Sequence, residues 1–293
     1  MAAHPTVFDR ALLRTRLVRA FVRGPETFLI DRVAADLAER LDAVLREFPV
    51  AVDLGTPTDA LRRALAGKKS IGTLIEANAT PVGESLFVVA DEEALPFADG
   101  SLDLVVSALA LQFVNDLPGT LIQVRRALKP DGLFLAALLG GDTLTELRQA
   151  FAAAEAEVEG GASPHVAPFA DVRELGALLQ RAGFALPVTD VDRLTARYAT
   201  PFALMADLRR MGATNALVER RRVPLRRATL ARMAEIYAER FADPDGRIRA
   251  TFEIVWLSGW APHESQQKPL RPGSAKVRLA DALGVREIGT GEG

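Results

Sequence analysis

The sequence predicts an α/β fold, a mostly parallel sheet with helices on its faces. Two observations predict it. Short apolar runs, such as residues 102–108 (LDLVVSA) and 133–139 (LFLAALL), carry no polar alternation, as strands buried on both faces do. Between them, residues 117–128 repeat apolar positions at helical spacing, and strand-helix-strand with tight turns means parallel pairing through a crossover helix.

Each element follows in chain order. Residues 7–23 place apolar residues at helical spacing with arginines on the other face. They read as an amphipathic surface helix, with a basic lid over an anionic substrate or partner surface as the alternative. Residues 27–48 form a second amphipathic helix, and Pro49 ends it. Residues 50–55 (VAVDLG) are the first strand, and residues 70–78 (SIGTLIEAN) are the second. Residues 88–90 lead into the turn at Asp91 and Glu92, and residues 102–108 follow as a strand. Asn115 and Asp116 are helix-capping types ahead of the helix at 117. Lys129-Pro130-Asp131-Gly132 stops that helix and turns the chain into the strand at 133–139. Gly140-Gly141-Asp142-Thr143-Leu144 then enters a helix, with Asp142 or Thr143 as its expected cap. The turn-rich stretch 159–169 separates this helix from one at 175–182, which Gly183 stops ahead of the sixth strand. Helices follow from Met205, ending at Gly212, and at 229–241, and the last strand at 250–259. Residues 220–227 are strongly basic, which reads as a solvated cluster or a face for an acidic partner. The organisation expected is a helical extension at 1–48, a sheet domain at 49–268 and a polar, Pro- and Gly-containing tail at 269–293.

The wording of the central stretch resembles the class I S-adenosylmethionine (SAM) methyltransferases. The residues that carry this are ADEEALPF at 90–97, LDLVVS at 102–107 and LKPDG at 128–132. The resemblance implies a Rossmann-like sheet of seven strands, with extra helices between strands five and six. It implies SAM in one cleft at the carboxyl ends of the strands, surrounded by Asp53, Gly55, Asn78, Asp91 and Glu92 and bordered by Leu109 and Gln112. In that family Asp91 would stand beside the adenine, and an acid at position 78 would hold the ribose. Glycines of the first loop let the backbone approach the methionine part.

This chain departs from the pattern in that cleft. The loop reads Asp53-Leu54-Gly55-Thr56-Pro57-Thr58-Asp59, so Pro57 and Asp59 stand where glycines are expected. Proline fixes φ and withdraws a donor, and an aspartate adds charge where the cofactor's carboxylate would lie. Asn78 lacks the charge-assisted pair of a carboxylate, and Glu76 sits two residues early. Gln112 replaces a His that the relatives carry before Trp-Val-Asn-Asp-Leu.

Later strings sharpen the resemblance: GGDTLTELR at 140–148, EGGASPHVAPF at 159–169, RAGF at 181–184, MGATN at 211–215 and GWAPHESQ at 259–266. Together with FDR at 8–10 they are similar to the methyltransferase-like assembly factors of respiratory complex I, a family assigned arginine hydroxylation. They are also similar to the malonyl-carrier-protein methyltransferases of biotin synthesis.

Composition bounds the rest. The 293 residues are 49% hydrophobic and 25% charged, with net charge -2, so bulk attraction to nucleic acid or anionic lipid is absent. The absence of cysteine excludes disulfides, zinc-thiolate sites and thiol nucleophiles. No apolar run approaches a membrane span and the first residues lack a signal-peptide core, so a cytoplasmic protein is expected.

Three functions stay open. One is a SAM-dependent enzyme acting on a protein or small acceptor, with Gln112, Asp142, Arg148 and His165 as substrate-side candidates. Another is an assembly or binding factor that keeps the fold without the cofactor. The third is an oxygenase with a metal held by His165, His263 and Asp142.

Overall fold

A computed structural model describes residues 6–80 and 86–267. His4 and the expected tail at 269–293 lie outside the described residues. The chain opens with helices α1 (Arg10–Val22) and α2 (Phe28–Asp42). It then alternates through β1 (Phe48–Leu54), α3 (Ala60–Leu65), β2 (Ile71–Asn78), β3 (Phe87–Val89), β4 (Leu102–Ala108), α4 (Leu117–Ala127) and β5 (Leu128–Leu139). Two helices, α5 (Thr145–Glu159) and α6 (Val172–Arg181), stand between the fifth and sixth strands. After β6 (Ala185–Tyr198), two more, α7 (Pro201–Arg210) and α8 (Arg227–Phe241), precede β7 (Ile248–Trp260).

The seven strands lie in the order β3-β2-β1-β4-β5-β7-β6. The first five pair in parallel, and β7 runs antiparallel between β5 and β6. The order reverses direction between β1 and β4, and open sheets of this kind leave a crevice beyond the carboxyl ends of those strands.

Side-chain alternation in β5 explains the two layers. Leu133, Leu135, Ala137 and Leu139 enter a core shared with α2, α3, α5, α7 and α8. Phe134, Ala136 and Leu138 enter a second core with α4 and α6. Helix ends obey local chemistry. The Asp116 side chain accepts from Gly119 N–H at 2.9 Å and starts α4. Asp171 and Glu174 form a reciprocal capping box on α6.

Three local expectations need correction. The second helix stops at Asp42 and is not ended by Pro49, which lies inside β1. Lys129-Pro130-Asp131-Gly132 is not a turn ahead of β5: the strand already runs through it from Leu128. The stretch is accommodated as an irregularity, with Asp131 at φ 66° and a register shift against β4 between Leu102 and Leu104. Neither Asp142 nor Thr143 caps α5, which starts from Leu144 at φ 54° without a side-chain cap. The Thr143 hydroxyl instead donates to the Glu253 carbonyl at 3.1 Å, fastening the loop to β7.

Candidate functional site

Beyond the carboxyl ends of β1, β4 and β5 lies a cavity of about 280 Å³. Its floor comes from Gly55, Leu109, Ala110 and Leu139 at the strand ends, and its walls from α1, α2, α5 and α7. Most of the lining is apolar, including Leu13, Phe21, Ile30, Phe113, Leu147 and Phe169. An apolar cavity with a few placed polar groups is the usual form of a small-ligand site.

The β1 end is tied together by its own hydrogen bonds. Asp53 is buried, and the Thr56 hydroxyl donates to it. The same hydroxyl accepts from Ala108 N–H at 3.1 Å, which links the ends of β1 and β4. Burial pushes the Asp53 carboxyl up to about 7, partly offset by the Thr56 bond and reinforced by Glu76 on the adjacent strand. Gly55 has φ 76°, and a Cβ there would come within 2.8 Å of Glu92 Oε1 and 3.0 Å of the Ala110 side chain. Only glycine fits this approach. The Asn78 amide donates to the Thr56 carbonyl at 2.9 Å, and its oxygen accepts from Ala79 N–H at 2.7 Å. Asp59 is not a bare charge: Arg63 donates to it at 3.1 Å and Arg62 lies at 3.5 Å.

The turn after β3 meets α1. Arg10 pairs with Asp91 at 2.7 Å, with Glu92, and with Glu93 at 3.0 Å. Arg14 pairs with Asp91 at 2.5 Å. Burial would raise the Asp91 carboxyl, but the Glu93 N–H and the two arginines hold it below its ordinary value. Asn115, expected only as a cap, accepts from Val7 and Phe8 N–H at 2.8 Å each and so fastens the segment ahead of α1. Phe8 meets Phe113 edge to face at 5.6 Å.

At the other end, Gln112 Nε2 donates to the Leu109 carbonyl at 2.7 Å, and Gln112 Oε1 is buried with no partner among the described residues. His165 stacks on Phe151, ring centroids 3.9 Å apart. Its Nε2 lies 2.9 Å from Glu155 Oε1 and 3.2 Å from the Ser163 hydroxyl. Glu155 also accepts from the Ser163 hydroxyl at 2.7 Å and from the Ser163 N–H. Burial would raise the Glu155 carboxyl, but the His165 and Ser163 bonds outweigh it and hold it below the usual range.

Gly55, Glu92, Leu109, Gln112 and His165 therefore share the cavity wall, and Pro57 joins them. Asp53, Asn78 and Asp91 stand around the strand ends but do not line the cavity. Asp142 faces Arg193 on the surface. Arg148 is taken up by the Gly141 and Thr143 carbonyls at 3.1 and 3.3 Å. Of the expected metal set, His165 lines the cavity and Asp142 does not. His263 makes a local turn with Ser265, its Nδ1 2.7 Å from the hydroxyl. Among the described residues no group of three or more metal-ligand side chains is present, and none of their helices is long and apolar enough to cross a membrane. Sequence reading missed Glu155 and Arg10. The EGGASPH string marked the loop but not the helix partner ten residues before His165, and FDR at 8–10 marked Arg10 without its carboxylates.

Comparison with known proteins agrees with the fold. Residues 51–136 match the methyltransferase domain family. The fold is similar to that of the YcgJ protein from Bacillus subtilis, with TM-score 0.51 and 17% identity over 78% of this chain and 98% of that one. The sequence is 34% identical to a malonyl-[acyl-carrier protein] O-methyltransferase of Gallionella capsiferriformans, over 87% of this chain and 92% of that protein. It is 40% identical to the mitochondrial arginine-hydroxylase NDUFAF5 of Homo sapiens, over 94% of this chain and 83% of that protein. It is 38% identical to the protein of the same name in Danio rerio, over 96% and 91%. With a methyltransferase fold and this identity over nearly its whole length, the chain belongs to the family of the arginine-hydroxylase NDUFAF5 proteins.

Proposed function

We propose that the chain binds SAM in the cleft at Gly55 and modifies a group that a protein partner presents to the cavity. One observation carries this reading: Gly55, Leu109, Ala110, Gln112 and His165 open onto a single cavity at the switch point of the sheet. Gly55 supports the fit, because its positive φ and crowded Cβ position keep bare backbone at the cleft. Gly55, Leu109 and Ala110 would hold the cofactor, which when bound supplies the transferable methyl group. Gln112 and His165 would orient the acceptor, since methyl transfer depends mainly on alignment. A protein-borne acceptor agrees with the name of the malonyl-[acyl-carrier protein] relative. The NDUFAF5 relatives are named for arginine hydroxylation.

A second reading has its own support. Arg10 is lodged among Asp91, Glu92 and Glu93 beside the cleft. A chain that fills this corner with its own side chain would suit an assembly or binding factor. Equilibrium dialysis with labelled SAM separates the two. The enzyme reading expects one saturable site, lost when Ala110→Phe fills the cavity floor in a variant with an unchanged circular dichroism spectrum. Absence of binding by the unmodified chain would favour the assembly reading.

A further inference from the structure

Helices α1 and α7 build a second cavity of about 500 Å³ beside the apolar one. On α1, Arg16, Arg19, Ala20 and Arg23 recur at steps of three and four, which puts them on one helical face. Arg209, Arg210 and Thr214 complete the lining from α7 and the turn after it. Among the described residues no carboxylate lines this cavity.

Two of these arginines are already occupied. Arg16 donates to the Thr214 carbonyl at 2.9 Å and to the Asn215 carbonyl. Arg210 pairs with Glu26 at 3.0 Å and donates to the Gly24 carbonyl at 3.3 Å. Arg19, Arg23 and Arg209 have no ion pair and no side-chain hydrogen bond among the described residues. A helix C-terminus favours a cation in its last turn, which accounts for Arg19 and Arg209 one at a time. It does not account for arginines of two helices converging on one hollow without a counter-charge, where each repels the others. Burial and then Arg220 hold the Arg16 guanidinium below its ordinary value, partly offset by Asp9, so positive charge is in excess on this side of α1.

The same two helices line the apolar cavity. Leu13, Leu17 and Phe21 of α1 and Leu208 of α7 face it, and Ala20, Arg209, Arg210 and Thr214 belong to the walls of both cavities. Cationic and apolar surfaces therefore adjoin at a shared wall. Guanidinium groups match phosphate oxygens with paired N–H donors. We propose that the arginine cavity is an anion site for a phosphate monoester, with the apolar chain of that ligand lying in the neighbouring cavity. This site goes beyond the proposed function and does not rest on SAM binding.

The test is calorimetric titration of the full chain with octyl phosphate below its micelle concentration. One saturable site is expected, with inorganic phosphate competing for it and added salt weakening it. Octyl glucoside carries the same chain on a neutral head and should bind at least about tenfold more weakly. Arg19→Gln with Arg209→Gln should lower octyl phosphate affinity at least about tenfold. Arg222→Gln with Arg227→Gln removes the same charge from the other basic stretch and should leave that affinity unchanged. Equal affinity for the two octyl probes, or equal losses in the two double variants, would overturn the proposal. Capture by mixed phosphatidylcholine–phosphatidic acid vesicles, without binding of octyl phosphate, would overturn it in favour of a membrane-facing surface. Should the first double variant fail to fold, the comparison of the two probes on the unmodified chain still decides.

Discussion

Two buried carboxylates mark the two ends of the site, and they titrate in opposite directions. Asp53 and Glu155 are both nearly closed to solvent, 3% and 1% exposed, but Asp53 lies deeper among the strands and loses more solvation. Asp53 receives little help against desolvation beyond Thr56, and Glu76 lies beside it, so it is pushed up to about 7. Glu155 collects donors from the Ser163 hydroxyl, the Ser163 N–H and His165, and it is held below its ordinary value. Depth of burial and the number of donors together set the direction in which a carboxyl shifts. The β1 end is thus a self-contained polar joint between strands, while the α5 end spends its acid on aiming a histidine.

The largest effect that would break this contrast is on the pH dependence of stability. A carboxyl raised from 3.8 to about 7 binds its proton more readily in the folded chain than in the unfolded one. Its contribution is full below the unfolded value and is lost as pH rises through 7. Chemical denaturation should show a loss of about 4 kcal/mol across that window, and the slope should vanish in Asp53→Asn. An equal slope in the variant would assign the titration to another group.

Thr56→Val comes next. It leaves Asp53 and the Ala108 N–H without their shared partner, and should destabilise the chain by about 3 kcal/mol. A change below about 1 kcal/mol would mean that water replaces the hydroxyl.

Glu155→Ala should cost about 2 kcal/mol, because Ser163 and His165 lose their acceptor next to a cavity that water can enter. The sign of its pH effect is opposite to that at Asp53. The stabilisation from Glu155 is present above the unfolded value of 4.5 and is lost as pH falls through the lower folded value. Stability measured by chemical denaturation should therefore fall more steeply below pH 4.5 in the unmodified chain than in Glu155→Gln.

The smallest effect sharpens the boundary of the site. Asp142 pairs with Arg193 on the surface, and Asp142→Ala should change stability by less than about 0.5 kcal/mol. It should leave SAM affinity unchanged. A clear loss of affinity would return Asp142 to the cavity.

Much of the fold was legible where burial shaped the sequence. The run at 102–108 agrees with β4 at both ends, since a strand buried on both faces is written as continuous apolar text. β6 was harder. It is an edge strand of 14 residues whose side chains alternate with solvent, and its polar positions Thr189, Asp190 and Asp192 conceal the pattern. The Lys-Pro-Asp-Gly stretch looked like a turn because its residues favour one, yet the ladder to β4 resumes around it. Within the site, Gly55, Leu109 and Gln112 could be placed because they end strands or follow them closely. The pairing of Arg10 with Asp91, 81 residues apart, has no local signal. The Glu155–His165 contact depends on a loop folding back over α5. Asp142 and Arg148 belong to a string typical of the family, but their side chains hold the loop after β5 rather than face the cavity.

The most direct test of the account is calorimetric titration of SAM into the unmodified chain and into the double variant Pro57→Gly with Asp59→Gly. Asp59 pairs with Arg62 and Arg63, which it shares with Glu76 and Asp31, and Gly55 keeps the close approach of the loop. The account therefore predicts saturable binding by the unmodified chain, with the variant within about tenfold of it. No binding by the unmodified chain, with binding restored only in the variant, would contradict it.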